Sequence, residues 1–263
     1  MRLNRYLARA GVASRRKCDL LIQQGAITVN GQVVEDAGRC VVVDQDRVQV
    51  DGRNVTPPRS FEYLLLNKPA DCLVTHADTH GRATVFDQVR GLRPGTVAVG
   101  RLDQDTTGLL LLTDDGDLAH RLMHPRYGVD KVYVATVRHT PTASQLERLR
   151  RGVQLEDGVT APARVRLLRR RRAPGHAGGR SREAQVEIGI REGRKRQVRR
   201  MVEAVGHSTL TLRRVEFAGL ALAGLETGAH RRRRRLDERR DGDRRRPRRH
   251  RRRRRGKCRG RHR

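Results

Sequence analysis

The chain has 263 residues, of which 36% are hydrophobic and 33% are charged, and its formal net charge is +30. This length allows one large domain and a small one, and no run approaches the roughly 18 apolar residues of a membrane span, which argues against a membrane protein. Residues 230–263 carry 21 Lys and Arg against 4 acids, so +17 of the charge lies there and +13 in residues 1–229. A body this basic favours nucleic acid as the partner over a merely solvated surface, because neutralised phosphates release counterions.

Cysteine usage and the N-terminus predict a cytoplasmic protein. The four cysteines form no Cys-x-x-Cys pair, and the basic N-terminus lacks the apolar segment of a secretory signal. The nearest metal-binding pattern is Cys72-x3-His76-x3-His80, which offers three ligands. Because structural zinc sites almost always take four ligands from the protein, we expect no metal here.

Residues 1–55 are predicted to form a small helix–helix–hairpin domain. A first amphipathic helix ends at Gly11, and Ser14 can cap a second one. Asn30-Gly31, between two β-rich runs, is a strong hairpin signal. Five basic side chains crowd the two helices, and we interpret them as a phosphate-binding face rather than a solvated one: Arg5, Arg9, Arg15, Arg16 and Lys17.

Beyond a short linker, residues 60–236 are predicted to form a second domain. Strands and helices do not alternate regularly there, which predicts an α+β fold with a mixed, mainly antiparallel sheet flanked by helices. The predicted strands are 62–69, 96–102, 108–113, 131–137, 163–168, 184–190 and 210–217. The predicted helices are 117–123, 142–153 and 194–206.

Two basic segments are expected to stay outside the folded core. The Gly-rich stretch 169–182 is predicted to be an exposed loop between two strands. Residues 237–263 contain almost no apolar side chains, so we predict a disordered Arg-rich tail. The tail either helps to hold nucleic acid without sequence preference or is a dispensable extension.

Asp103 precedes four consecutive leucines, 109–112, and its position raises several possibilities. A calcium loop starting at Asp103 is disfavoured, because leucines occupy the second half of its template. A glycosidase-type carboxylate pair with Asp105 is a second possibility. A lone catalytic carboxylate on a loop between strands is a third, and a structural turn aspartate is the non-functional alternative. Residue chemistry alone leaves the last two open.

The wider sequence resembles a known family. The strings GRLDQDTTGLLLLTDDGDLAHRLMHP, DKVYVATV and GRKRQVRRM, in this order, closely resemble signature stretches of bacterial ribosomal pseudouridine synthases of the RsuA/RluB group. YLLLNKPADCLVT with HGRATVFD is similar to the first strand and loop of that family's catalytic domain. The N-terminal module is similar to the RNA-binding domain first seen in small-subunit ribosomal protein S-four. The resemblance covers roughly residues 1–236.

This resemblance implies an enzyme that isomerises a uridine within RNA. The base is detached from nitrogen 1, rotated, and rejoined to the sugar through carbon 5, so neither a redox cofactor nor a metal is required. By the match, Asp103 is the catalytic aspartate and Arg199 is the basic residue that pairs with it. Tyr133 is a stacking platform for the flipped uracil, Arg101 steadies the vacated position in the RNA, and Val198 supplies an apolar wall.

The resemblance also implies a partner and leaves competing functions to test. We expect a monomer that acts on ribosomal RNA or an assembling ribosomal subunit, with large-subunit 23S RNA slightly preferred over small-subunit 16S RNA. The first alternative is a non-catalytic RNA-binding or ribosome-assembly protein. The second is an N-glycosidase that releases free base.

Overall fold

The computed structural model describes residues 1–172 and 182–233, apart from the side chains of residues 170–172 and 182. The tail predicted at 237–263 and most of the loop predicted at 169–182 therefore lie outside the described residues. Within the described part of the chain, no helix has both the length and the apolar character needed to cross a membrane.

The N-terminal module contains two helices and four short antiparallel strands. Their bounds are α1 Leu3–Arg9, α2 Arg15–Gln23, β1 Ile27–Val29, β2 Gln32–Val33, β3 Val48–Val50 and β4 Arg53–Asn54. The strand order is β2-β1-β3-β4. The predicted cap and turn are confirmed: the Ser14 side chain accepts a hydrogen bond from the Lys17 backbone N–H, and Asn30-Gly31 joins β1 to β2 with both φ angles positive. An apolar cluster of its own fills the interior of this module.

The remaining elements build one large sheet with helices on both faces and one separate two-stranded sheet. Their bounds are β5 Tyr63–Lys68, β6 Val97–Ala98, β7 Thr106–Thr113, α3 Gly116–Met123, a 3-10 turn Pro125–Tyr127, β8 Lys131–Arg138, α4 Ala143–Arg151, β9 Gln154–Leu155, β10 Gly158–Val159, β11 Arg164–Arg172, β12 Arg182–Ile190, α5 Gln197–Ala204, β13 Thr209–Phe217, β14 Leu220–Ala221 and β15 His230–Arg233.

The sheet order among the described strands is β11-β12-β8-β13-β7-β5-β15, with β6 beside β7 and β14 beside β13. Only the pairing of β7 with β13 is parallel, so the predicted mixed, mainly antiparallel α+β fold is confirmed. Gly108 permits this parallel pairing. Its φ is +106°, and a Cβ built on it would lie 2.2 Å from the Arg214 carbonyl oxygen.

The four leucines after Asp103 are buried on both faces of the sheet. Leu110 and Leu112 contribute to the large apolar cluster that includes side chains of α4 and α5. Leu109 and Leu111 contribute to a second cluster, on the α3 side. A strand covered on both faces reads as a continuous apolar run, because neither set of alternating side chains meets water. The buried leucines therefore hold β7 in the sheet, and β7 in turn positions the Asp103 loop that precedes it.

Three predicted elements differ from the observed ones by three or more residues at one end. The run 96–102 is a strand only at β6, because the chain leaves the sheet at Gly100, whose φ is +78°. The helix predicted over 194–206 begins only at Gln197, because Arg196 adopts a left-handed conformation with φ 49°. The strand predicted at 163–168 extends to Arg172, pairing with β12 across part of the segment predicted to be a loop. The basic run His230–Arg233 forms the edge strand β15 on β5.

Candidate active site

A cavity of about 560 Å³ opens beside the Asp103 loop. It lies between the chain after β6, the end of α3, strands β8 and β13, and the segment that leads into α5. Four of the five predicted catalytic and substrate-binding residues line this cavity: Arg101, Asp103, Tyr133 and Val198. Ligand pockets typically have volumes of about 300–1,000 Å³, so the cavity is of a size that admits a nucleoside.

Asp103 lies on the tight turn that enters β7. Its backbone carbonyl accepts a hydrogen bond from the Thr106 N–H at 3.0 Å, while its side chain is 36% exposed and borders the cavity. The backbone of Asp103 therefore performs the structural role expected of a turn residue, and its carboxylate remains available to a ligand. The two interpretations left open by the sequence describe different atoms of the same residue.

A buried lysine fixes the backbone of this turn. Lys68, at the end of β5, donates from Nζ to the carbonyl oxygens of Pro69 at 2.9 Å and of Gln104 and Thr106 at 3.0 Å. Burial lowers the pKa of Lys68, and nearby acidic groups including Asp105 act in the opposite direction. Sequence reasoning missed this residue. The signal that could have found it is a lysine at the end of the otherwise apolar strand YLLLNK.

The arginine predicted to pair with Asp103 pairs instead with Asp105. Arg199 Nη2 lies 3.0 Å from the Asp105 carboxylate and 3.4 Å from the Asp105 carbonyl oxygen. The cation nearest to the Asp103 carboxylate is Arg196, at 3.9 Å, and Arg196 also contacts Asp105 at 3.4 Å. The physical reason is the turn: it directs the carboxylate of residue 103 to the cavity and that of residue 105 toward α5. Asp103 therefore lies next to an ion-pair network rather than in its centre.

Tyr133 and Val198 both contribute to the cavity wall. Tyr133 is 9% exposed on β8, where its cross-strand neighbours are Ile188 and Arg214. Val198 is 3% exposed on α5 and belongs to the large apolar cluster as well as to the cavity lining. Val198 therefore belongs both to the cavity wall and to the apolar core. The roles of these residues in binding a base stay predictions.

Arg101 and Lys195 line the cavity with exposed side chains, and neither has an ion-pair partner among the described residues. Their exposure and charge suit contact with RNA phosphates. Deeper in the cavity lie two cations that sequence reasoning did not single out, Lys131 and Arg214.

The metal alternatives receive no support from the described residues. No group of three or more His, Cys, Asp or Glu in this part of the chain is arranged to hold a metal ion. Cys72 is buried in the large apolar cluster, and His76 stacks on Phe86 with ring centroids 3.8 Å apart. The calcium template is excluded structurally, because its second half forms the buried strand β7.

The five basic residues predicted to form one RNA-binding face divide into two groups. Arg15, Arg16 and Lys17 are exposed at the start of α2. Arg5 and Arg9 on α1 are half-buried against the second domain: Arg5 pairs with Asp117, and Arg9 lies 4.3 Å over the Phe61 ring and donates to the Pro58 carbonyl at 2.9 Å. The five side chains therefore do not share one exposed face, because α1 packs against the second domain, and their role in RNA binding stays a prediction.

A glycine allows this packing. Gly95 has φ +79°, and a Cβ built on it would lie 2.7 Å from the Ala8 carbonyl oxygen at the end of α1. The N-terminal module is thus in direct backbone contact with the second domain.

Comparisons with known proteins agree with this architecture. The family model for RNA pseudouridylate synthase matches residues 62–204, and the model for the S4 domain matches residues 1–42. A solved structure described as a pseudouridylate synthase superposes with a TM-score of 0.60 at 28% identity, covering 88% of this chain and 95% of that one.

Two curated relatives match most of both chains. A Bacillus subtilis protein named ribosomal large subunit pseudouridine synthase B is 44% identical over 86% of this chain and 89% of its own length. An Aquifex aeolicus protein named as an uncharacterized RNA pseudouridine synthase is 39% identical over 88% of this chain and 89% of its own length.

Proposed function

Because this chain belongs to the RNA pseudouridylate synthase family, we propose that it converts a specific uridine of large-subunit ribosomal RNA into pseudouridine, with Asp103 as the catalytic carboxylate. The preference for the large subunit rests on the name of the Bacillus subtilis relative. The assignment of Asp103 is supported by one observation above all: its carboxylate borders the cavity while its backbone is locked by the turn and by Lys68.

The chemistry requires an everted base, because a stacked uracil cannot be rotated in place. The bond from C1′ to N1 breaks, the base turns, a bond forms from C1′ to C5, and the proton lost from C5 is replaced by one on N1. Asp103 acts in its ionised form, either by attack on the sugar or the base or by removal of a sugar proton. Arg196 lies 3.9 Å from the Asp103 carboxylate, and Arg199 pairs with the neighbouring Asp105, so both arginines place positive charge close to the reacting group.

The remaining predicted residues have supporting roles in this proposal. Tyr133 stacks on the uracil, Val198 excludes water from the same side of the cavity, and Arg101 occupies the position that the base vacates. Arg15, Arg16 and Lys17 bind phosphates of the surrounding RNA. The enzyme acts as a cytoplasmic monomer on free RNA or on an assembling subunit, with a domain at 1–55 and a catalytic domain at 60–236. Analytical sedimentation of the pure protein tests whether it is a monomer.

Tritium release from ribosomal RNA labelled at carbon 5 of uridine tests the reaction. We expect wild-type protein to release label from unmodified 23S RNA, and Asp103→Asn to release none. Asp44→Asn is the matched control, because Asp44 is an exposed carboxylate in the N-terminal module with φ 67°, a conformation that Asn tolerates. Both variants should bind the RNA as wild type does.

The alternatives give different results in the same assay. If the wild-type protein binds 23S RNA, 16S RNA and assembling subunits but releases label from none of them, the result favours a non-catalytic assembly factor. Free uracil with an abasic RNA product would favour an N-glycosidase. Mapping pseudouridines in RNA from cells with and without the gene identifies the modified subunit. A site in 16S RNA would contradict the large-subunit proposal.

A further inference from the structure

Two cations lie deep in the cavity. Lys131 is the first residue of β8, and Arg214 is on β13, directly across from Tyr133 in the sheet register. Both line the cavity. Arg214 is only 2% exposed and Lys131 is half-buried, whereas Arg101 and Lys195 at the same cavity are exposed. The buried pair therefore meets the part of a ligand that enters farthest.

Neither buried cation is neutralised by the described protein. Arg214 donates from Nε to the Leu109 carbonyl at 2.8 Å, and its guanidinium lies 4.7 Å over the Phe217 ring. Its Nη2 is buried and has no hydrogen-bond partner among the described residues. Lys131 donates from Nζ to the Val129 carbonyl at 3.1 Å. No carboxylate of the described residues lies within ion-pair distance of either side chain.

Other arginines near the cavity have their charge neutralised by a carboxylate. Arg191 is paired with Asp130, Arg194 with Asp157 and Glu192, and Arg196 with Asp105. A buried charge without a partner is costly, because desolvation is not repaid by an opposite charge or by hydrogen bonds. Burial, and next the charge of Arg214, lower the pKa of Lys131, while the charge of Asp130, beyond ion-pair distance, acts in the opposite direction. Lys131 and Arg214 thus form an electrostatic arrangement completed only by a ligand that carries negative charge.

Arg214 is also held rigidly. The parallel contact of β7 with β13 brings Gly108 against the Arg214 backbone, as described above. The Nε hydrogen bond then fixes the guanidinium to the strand that follows the Asp103 turn. A charge held this firmly needs no reorganisation during a reaction, which is the condition under which electrostatic stabilisation is most effective.

We propose that Lys131 and Arg214 form a subsite for the uracil base and stabilise the negative charge that the base carries once it is detached from the sugar. This inference rests on the proposed function. When the C1′–N1 bond breaks, its electron pair stays on the base and is delocalised over N1, O2 and O4. Formation of the C1′–C5 bond uses an electron pair of the base, and transfer of the C5 proton to N1 completes the isomerisation. The charge is therefore transient, and the two cations lower the barrier around it.

The test compares Lys131→Met and Arg214→Met with Arg213→Met in single-turnover reactions at saturating RNA. Arg213 is the matched control, because it is the exposed neighbour of Arg214 on the same strand. Loss of one preorganised stabilising group typically costs about 100- to 1,000-fold in rate, and we expect a loss of this order for each cavity variant. RNA affinity should change by less than about 3-fold, since the rim cations remain. Arg213→Met should react like wild type.

A second substrate separates charge stabilisation from a structural role. Fluorine at carbon 5 withdraws electrons, so a 5-fluorouracil base carries negative charge more readily than uracil. We expect the rate deficit of both cavity variants, measured as the disappearance of 5-fluorouridine from RNA digests, to shrink at least about 10-fold on this substrate. Equal deficits on the two substrates, or no deficit on uridine, would overturn the inference.

Separate controls test whether each variant folds and whether the proposed function itself holds. Arg214→Met loses the hydrogen bond to Leu109 and could unfold, so each variant is checked by thermal denaturation, and Lys131→Met carries the test if Arg214→Met is unstable. Arg214→Lys should recover part of the lost rate, because it restores the charge. If the wild-type protein itself converts no uridine, the proposed function has failed. If the wild-type protein is active, the subsite inference fails when the cavity variants react like wild type on uridine or show the same rate deficit on both substrates.

Discussion

The cations in and next to the candidate active site and those of the N-terminal module have opposite surroundings. Arg199, Arg214 and Lys68 are buried, and each is fixed by a carboxylate or by backbone carbonyls. Arg15 and Lys17 at the start of α2 are exposed, with no ion pair among the described residues. Buried charges act at short range and in a fixed direction, whereas exposed charges act through counterion release. We therefore expect the cavity cations to govern the rate and the α2 cations to govern RNA affinity.

The largest effect is expected from a substitution that disturbs the backbone contact between β7 and β13 beside the cavity. Gly108→Ala places a Cβ against the Arg214 backbone at φ +106°, where an L residue is strained. We expect the free energy of unfolding to fall by at least about 3 kcal/mol, since backbone strain and overpacking each cost on the order of 1–3 kcal/mol. Chemical denaturation measures it. Gly31→Ala in the N-terminal hairpin is the control, because its φ is also positive but no atom lies within 4 Å of the added Cβ; an equal loss there would show that strain alone, without the contact, explains the result.

Removal of a buried cation next to the carboxylates comes second. Arg199→Met leaves Asp105 with Arg196 as its remaining partner and takes positive charge away from the Asp103 turn. We expect kcat to fall about 100-fold with KM nearly unchanged, as for loss of a preorganised charge in an active site. Arg200→Met is the matched control, because Arg200 is the next residue of α5 and pairs with Asp157 instead. A change confined to KM would place Arg199 with the RNA-binding cations and break the comparison.

The exposed cations are expected to have the opposite kinetic signature. Replacing Arg15, Arg16 and Lys17 together by Gln should raise KM for RNA about 10-fold at low salt, leave kcat unchanged, and reduce the slope of log affinity against log salt by about 2–3. Filter binding over a salt series measures the slope. The charge-matched control replaces Arg39, Arg47 and Arg53, which are exposed elsewhere in the same module. If both triple variants lose affinity equally, net charge rather than the α2 surface is responsible.

The smallest effect on RNA binding is expected from α1. Arg9→Gln removes the contact with the Phe61 ring and the hydrogen bond to Pro58, both of which join the two domains. We expect RNA affinity to change by less than about 2-fold, while the thermal midpoint falls by a few degrees because a partly buried cation–π contact is worth about 1 kcal/mol. An affinity loss as large as that of the α2 variant would return Arg9 to the RNA-binding surface.

Much of the fold followed from local patterns. Ser14 caps α2 as predicted, and at the start of α4 Thr142 and Gln145 form a capping box. The alternating and continuous apolar runs marked the strands of the large sheet. The hairpin between β3 and β4 was missed, although Asp51-Gly52 carries the same turn signal as Asn30-Gly31. The start of α5 was missed because Arg196 adopts a left-handed conformation that delays the helix to Gln197, and the end of β6 was missed because the chain leaves the sheet at Gly100.

By itself the sequence determined the order of the elements, the two-domain plan and the motif that contains Asp103, because helix caps, turn dipeptides and apolar periodicity act over a few residues. Only the tertiary structure decided which carboxylate Arg199 pairs with and which basic residues face the second domain. It alone also decided that Lys68 is buried under the Asp103 turn and that Arg214, buried, and Lys131, half-buried, line the cavity. These features depend on the curvature of one turn and on strand register between segments about 100 residues apart, as for Gly108 and Arg214. Burial determines how strongly a charge interacts with other charges, and it depends on how the whole chain packs. It therefore leaves no signal in the residues that are adjacent in sequence.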